Sequence, residues 1–142
     1  MEQRKPAGLR ESWSFSASDF ARLRAVRRDT LDILRRFGEP ASDFESCAVV
    51  VSELMSNAAL HGPGGEIRVT LDWSATTPSF AVSDAGRGFV PAIGLPPPNR
   101  EGGRGLYLVK TLAATPHVSV DDGGCTVSVR LPVKRRRSSS VP

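Results

Sequence analysis

Long apolar runs are the first feature that this sequence lacks. No stretch approaches the roughly 20 consecutive apolar residues that a membrane-spanning helix needs. The first ten residues are polar and contain no apolar segment of the kind found in secretory signals. We therefore expect neither a membrane span nor secretion.

Cysteine is scarce as well. Only Cys47 and Cys125 occur among 142 residues, far apart and without the close spacing of metal ligands. Both fall in apolar patterns, so we expect two small, buried hydrophobic side chains. Free thiols fit a reducing compartment, and the sequence predicts a cytoplasmic protein.

Acidic residues are fewer than basic ones, 15 against 19, and the formal net charge is +4. Four of the basic residues lie together at 134–137, before a polar end at 138–142 that is typical of disorder. We interpret this segment as a solvated basic tail. Nucleic-acid or membrane contact is the alternative, but aromatic support for such a patch is missing, and neither partner is predicted.

The chain length fits one domain. We predict a flexible arm over 1–11, a folded domain over 12–132 and a basic disordered tail over 133–142. Hydrophobic periodicity gives the order β-α-α-β-β-loop-α-β-β. Short connections between adjacent strands favour antiparallel pairing. The predicted fold class is α/β, a two-layer sandwich whose mixed, mostly antiparallel sheet carries helices on one face.

Capping residues and charge characterise the two long helices. Ser16 or Ser18 is the expected cap of the first helix, and Ser42 with Glu45 forms a predicted capping box for the second. The first helix is unusually basic, which indicates either a solvated face or a docking surface for an acidic protein, centred on Arg27 and Arg28. A later helix is predicted from residue 105 to 114.

A polar stripe follows the second helix. Glu53, Asn57 and His61 are four residues apart and share one helix face. Asn57 offers a neutral oxygen that suits Mg²⁺, and Glu53 offers a base for an attacking hydroxyl. For His61 we prefer a helix-capping role over a phosphate contact. Taken alone, the stripe also fits ordinary surface polarity.

Two glycine-containing clusters come next. Asp84 ends a predicted strand and opens a loop with Gly86 and Gly88. A buried carboxylate there can accept a hydrogen bond from the exocyclic amino group of adenine, whereas guanine presents a carbonyl at the equivalent place, which would leave the carboxylate oxygens unpaired. Further on, a glycine-rich segment leads into a helix, whose free amides form an anion site. Its candidate phosphate-binding residues are Gly103, Arg104, Gly105 and Leu106.

Together and in this order, the three clusters resemble the N, G1 and G2 boxes of the GHKL nucleotide-binding superfamily, which includes gyrase, Hsp90, histidine kinase and MutL domains. The resemblance implies a Bergerat-type fold that binds ATP and Mg²⁺. It places the metal on Asn57, a proposed base at Glu53 and the adenine amino group on Asp84. It also implies a threonine behind the adenine pocket, for which Thr126 is the candidate; a simple outward-facing strand threonine is the alternative.

Within this superfamily the short chain is most similar to bacterial anti-sigma-factor serine kinases. The loop between the second and third clusters is short, and no helical hairpin with a phosphoacceptor histidine precedes the first cluster. The resemblance implies sequestration of a sigma factor, phosphorylation of a serine on a STAS-type anti-anti-sigma protein, and a possible homodimer. The alternative is a non-catalytic module whose protein binding depends on ATP.

Overall fold

A computed structural model of the protein describes residues 9–61, 64–85, 109–121 and 124–136. The helices and strands of this part are β1 Leu9–Ser16, α1 Phe20–Phe37, α2 Phe44–His61, β2 Glu66–Trp73, β3 Ser79–Ala85, β4 His117–Asp121 and β5 Gly124–Arg130. Residues 109–112 are also helical. They belong to the helix predicted over 105–114, which ends earlier than predicted and whose first residues lie outside the described ranges.

The five strands form one open sheet in the order β1-β2-β3-β5-β4, and all four neighbouring pairs are antiparallel. Five residues separate β2 from β3 and two separate β4 from β5, so antiparallel hairpins are the natural pairing. Both long helices pack on the sheet. The predicted two-layer α/β sandwich is confirmed, and among the described strands no pair is parallel.

Strand β1 begins earlier than the sequence indicates. Leu9 pairs with Trp73 and Glu11 pairs with Leu71, so β1 runs along the whole of β2. The predicted flexible arm over 1–11 is therefore wrong for residues 9–11. The alternation of Trp13 and Phe15 with serines predicted a short strand, but its first residues were missed because Arg10 and Glu11 are exposed at the sheet edge and give no apolar signal.

Aspartates cap both helices. The Asp19 side chain accepts a hydrogen bond from the Arg22 amide at the start of α1. At the start of α2 the Asp43 carboxylate accepts from the amide and the hydroxyl of Ser46. These hydrogen bonds, the side-chain one foremost, lower the pKa of Asp43. The predicted serine caps are therefore wrong: carboxylates one position closer to each helix take the role.

Helices α1 and α2 lie side by side and antiparallel. The Arg27 guanidinium meets the Ser52 hydroxyl near the middle of both helices. The Arg35 guanidinium lies 5.9 Å from the ring centroid of Phe44 at one end. At the other end, Phe20 and Ala59 line the same surface hollow. Helix α2 packs on β2 and β3 and therefore carries most of the helix–sheet contact.

The hydrophobic core lies between these helices and the inner face of the sheet. Strand β2 supplies its alternate residues, all essentially buried: Ile67, Val69, Leu71 and Trp73. Helix α2 contributes a stripe at helical spacing: Cys47, Val50, Val51, Leu54, Met55 and Ala58. The sequence predicted this stripe as Phe44, Cys47, Ala48, Val51, Leu54, Met55 and Ala58. Phe44 and Ala48 are only partly buried, and Val50 is a buried member that the sequence did not indicate.

The chain stays ordered beyond β5. Val133 is 2% exposed and packs in the core. The Glu39 amide donates to the Lys134 carbonyl, and the Arg136 amide donates to the Phe37 carbonyl. The predicted tail over 133–142 is therefore wrong for residues 133–136. A run of basic residues suggested solvation, but backbone hydrogen bonds to the end of α1 hold this segment.

Candidate functional site

Asp84 lies near the end of β3, on the face of the sheet that packs against the helices. Its Cα pairs with those of Ile67 on β2 and Cys125 on β5. Residues directly opposite in antiparallel strands point to the same face. Asp84 is 6% exposed, so a carboxyl group occupies a row of otherwise apolar side chains.

This carboxyl group is poorly satisfied. Burial raises its pKa above the ordinary value of 3.8, and a hydrogen bond from the Cys125 backbone amide opposes that rise only in part. Oδ1 is buried and, within the described residues, accepts no hydrogen bond. A buried acceptor without a partner is costly, and native proteins keep such groups mainly where a ligand or ordered water completes them.

Helix α2 presents the other polar candidates. Asn57 and Glu53 are both half-buried. The Asn57 Nδ2 atom is buried and has no hydrogen-bond partner in the described part of the chain. Asn57 is about 140° around the helix axis from Ser52, which contacts α1. The candidate stripe therefore occupies a different flank of α2 from the one that packs on α1.

Asn57 and Asp84 belong to the same interface, because α2 packs on β3. Among the described residues, they are the two side chains that carry a buried polar atom without a hydrogen-bond partner. His61 is the last residue of α2, and its side chain lies outside the described part, so its capping role stays a prediction.

Thr126 lies on the opposite face of the sheet from Asp84. Its Cα pairs with that of Ser83, and the two hydroxyl oxygens are 2.8 Å apart. The suggestion that Thr126 assists Asp84 is therefore wrong, and the outward-facing alternative is correct. The residue that sequence reasoning missed is its neighbour Cys125. Only the register of β3 against β5 reveals which of the two shares a face with the carboxylate.

Six predicted site residues lie outside the described ranges: Gly86, Gly88, Gly103, Arg104, Gly105 and Leu106. Their roles stay predictions. The described residues contain no group of three or more histidine, cysteine, aspartate or glutamate side chains that could hold a metal by itself. The helices within the described ranges also include none that is long and apolar enough to cross a membrane.

An antiparallel sheet that carries helices on one face, with a buried, unsatisfied carboxylate on that same face, defines a two-layer α/β sandwich with a candidate binding site. A family model described as "Histidine kinase-like ATPase domain" matches residues 16–131. The chain belongs to this histidine kinase-like ATPase family.

One similar solved structure is that of the RsbU and RsbW domains of Rv1364c from Mycobacterium tuberculosis. The identity is 17% and the TM-score 0.59. The match covers 95% of this chain and 34% of that one, so this chain spans about a third of its length. At this identity the likeness supports the fold. No curated protein sequence matches the chain.

The described residues fit the adenine nucleotide that the family implies. An adenine amino group is a donor, and Asp84 Oδ1 is a buried acceptor without a donor. The Asn57 amide is a second unsatisfied group on the neighbouring helix. The unpartnered Asn57 atom is the donor Nδ2, and the Oδ1 atom of the same amide is the neutral oxygen that would hold Mg²⁺.

Proposed function

We propose that this protein is an ATP-binding anti-sigma factor and serine protein kinase. It would sequester a sigma factor and transfer the ATP γ-phosphoryl group to a serine of a STAS-type anti-anti-sigma protein. The observation that carries the nucleotide part is the buried, unpartnered Oδ1 of Asp84 within a histidine kinase-like ATPase fold. The kinase and partner assignments are supported by the motif resemblance, which places Glu53 and Asn57 on one flank of α2.

We assign a separate role to each candidate residue on β3 and α2. Asp84, at the end of β3, accepts a hydrogen bond from the adenine amino group. Asn57 supplies a neutral oxygen to Mg²⁺, which when bound would neutralise charge on the phosphate oxygens. Glu53 orients the serine hydroxyl and accepts its proton. Phosphoryl transfer depends mainly on positioning and charge neutralisation, which these groups would provide together with the predicted phosphate-binding residues Gly103, Arg104, Gly105 and Leu106.

A single-turnover assay with labelled ATP and a candidate anti-anti-sigma protein tests the reaction. Wild-type protein should label the partner, and Glu53→Gln should slow labelling at least about a hundredfold while ATP binding persists. Glu45→Gln is the matched control, since Glu45 is an exposed glutamate in the first turn of the same helix. Equal labelling by wild type and Glu53→Gln would remove Glu53 from the reaction.

The same assay decides between kinase and binding module. ATP binding without any labelled partner, in wild type and Glu53→Gln alike, would support a regulatory module in which ATP only sets affinity. Labelled partner would support the kinase.

The proposed partner surface includes the outer side of α1. This helix carries six arginines against two aspartates, so it favours an acidic partner. Arg24 and Arg28 are exposed and lie one turn apart. Arg28 forms a 3.7 Å ion pair with its neighbour Asp29, and exposed ion pairs of this kind are weak. Both guanidinium groups therefore remain available to a protein partner.

A further inference from the structure

Cys125 differs from the other cysteine in what surrounds it. Both are buried, but Cys47 belongs to the contiguous hydrophobic core, and Cys125 lies outside that cluster. Cys125 instead pairs with Asp84 on one side and with Val120 on the other. A carboxylate, a thiol and an isopropyl group thus form a row across three neighbouring strands.

The far end of this row is open. Val120 is 48% exposed, although it lies on the face that elsewhere packs against the helices. Within the described residues, the row therefore begins at an unsatisfied buried acceptor and ends at uncovered apolar surface. This order of groups matches a purine, which carries an amino group on one edge and an apolar ring face beside it.

The thiol is suited to this place. Burial, followed by the negative charge of Asp84, raises the pKa of Cys125, so the group is a neutral thiol near pH 7. The Cys125 thiol does not occupy the Oδ1 atom of Asp84, because that oxygen has no hydrogen-bond partner in the described structure. A thiol is a weak donor, and it does not compete strongly with a ligand for the carboxylate.

We propose that Cys125 is a specificity-determining residue of the base-binding site, whose small thiol sets the room available to an amino-bearing purine beside Asp84. The inference rests on the proposed nucleotide binding. It gives Cys125 a role in ligand recognition, and it gives Cys47 a role in core packing alone.

Matched substitutions of the two cysteines test this proposal. Cys125→Leu should fill the space beside Asp84 and weaken binding of both ATP and ADP at least about tenfold by calorimetry. Cys125→Ala should retain affinity within about threefold. Cys47→Leu should lower the melting temperature through overpacking, with the affinity for ATP unchanged. Unchanged affinity in folded Cys125→Leu would overturn the proposal.

Protection of the wild-type thiol provides a second test that needs no variant to fold. Methyl methanethiosulfonate at pH 8.5 reacts with the thiolate, forming a mixed disulfide and releasing methanesulfinate. Saturating Mg-ATP should slow modification of Cys125 at least about tenfold, with peptide mass spectrometry as the readout. A rate at Cys125 that is the same with and without bound ATP would overturn the proposal.

Different results would refute the proposed function and the role of Cys125. Wild-type protein that shows no ATP binding by calorimetry refutes the proposed function. Wild-type protein that binds ATP, with Cys125→Leu and thiol protection both showing no effect, refutes only the role of Cys125.

Discussion

Arg27 of α1 donates a hydrogen bond from its Nε atom to the hydroxyl of Ser52, the residue immediately before Glu53 in α2. This contact joins the arginine-rich helix to the helix that carries the proposed base. It also shows that Arg27 is part of the helix pair and is not free for docking, contrary to the docking surface predicted from sequence around Arg27 and Arg28.

Replacing Arg27 tests the structural role of this contact. Arg27→Met keeps the apolar stem and removes the donor, so we expect a loss of about 1 kcal/mol in the free energy of unfolding. That corresponds to a melting temperature lower by about 3 °C. Chemical denaturation measures the loss, and Arg28→Met, at an exposed position, should leave stability within about 0.5 kcal/mol.

Ionised Asp84 should lower the stability of the free protein, although the same carboxylate is proposed to bind the ligand. Because burial raises its pKa, the folded state holds the Asp84 proton more tightly than the unfolded state does. Ionised Asp84 therefore costs stability, and this cost grows as pH rises through the raised pKa. Asp84→Asn should melt at a higher temperature than wild type at pH 7, and the difference should shrink at acidic pH.

The same carboxyl group should make ATP binding sensitive to pH. The ionised carboxylate is the stronger acceptor for the adenine amino group, so affinity for ATP should fall as pH is lowered through a pKa above the ordinary 3.8. Asp84→Asn should bind ATP at least about tenfold more weakly at pH 7. A variant that is both less stable and fully able to bind would contradict the assignment.

Charge reversal on α1 tests the proposed partner surface. The double variant Arg24→Glu/Arg28→Glu should weaken a complex with a candidate sigma factor at least about tenfold, mainly by slowing association, and the loss should diminish at high salt. Affinity for ATP should be unchanged. Arg68→Glu is the control, because Arg68 is exposed on β2 and faces away from the helices. Equal losses for both variants would indicate non-specific charge effects.

Shortening the chain at its end tests the ordered segment after β5. Ending the chain after Pro132 removes buried Val133 and the backbone bonds to Glu39 and Phe37. We expect this to cost at least about 2 kcal/mol in unfolding free energy. A chain that ends after Arg136 retains these contacts and should match the full-length protein in thermal melting.

Gly38 explains why that segment packs so closely. A Cβ added at Gly38 would lie 2.5 Å from the Leu34 carbonyl oxygen and 2.6 Å from a methyl group of Val133. Gly38 is therefore required by the close approach of the final segment to the end of α1. Glycine commonly ends a helix, and the sequence predicted the end of the first helix at Gly38. The contact with Val133 could not be predicted in this way, because the two residues are about 95 positions apart in the chain.

Much of the fold follows from local pattern. The alternation in β2 and the apolar stripe in α2 predicted both elements, because each buries one face against the core. The caps were misassigned by one residue, since serine and aspartate occur together at both helix starts and both residue types cap well. Strand β1 was placed too late because serine-rich edge strands lack a strong apolar signal.

In the candidate site too, some residues could be predicted from local sequence signals and others could not. Asp84 could be predicted because a carboxylate at the end of an apolar strand is a local signal. The residue beside Asp84 could not be predicted, because Cys125 and Thr126 are adjacent in sequence and only the strand register decides which of them lies on the same face as the carboxylate. A one-residue shift reverses the two faces, which is why the sequence pointed to Thr126 and the structure places Cys125 beside Asp84.

The most direct measurement is a calorimetric titration of the wild-type protein with Mg-ATP and, separately, Mg-GTP. We predict saturable binding of ATP, accompanied by proton release near the raised pKa of Asp84, and at least about a hundredfold weaker binding of GTP. No binding of ATP at millimolar concentration, or equal affinity for the two nucleotides, would contradict this prediction.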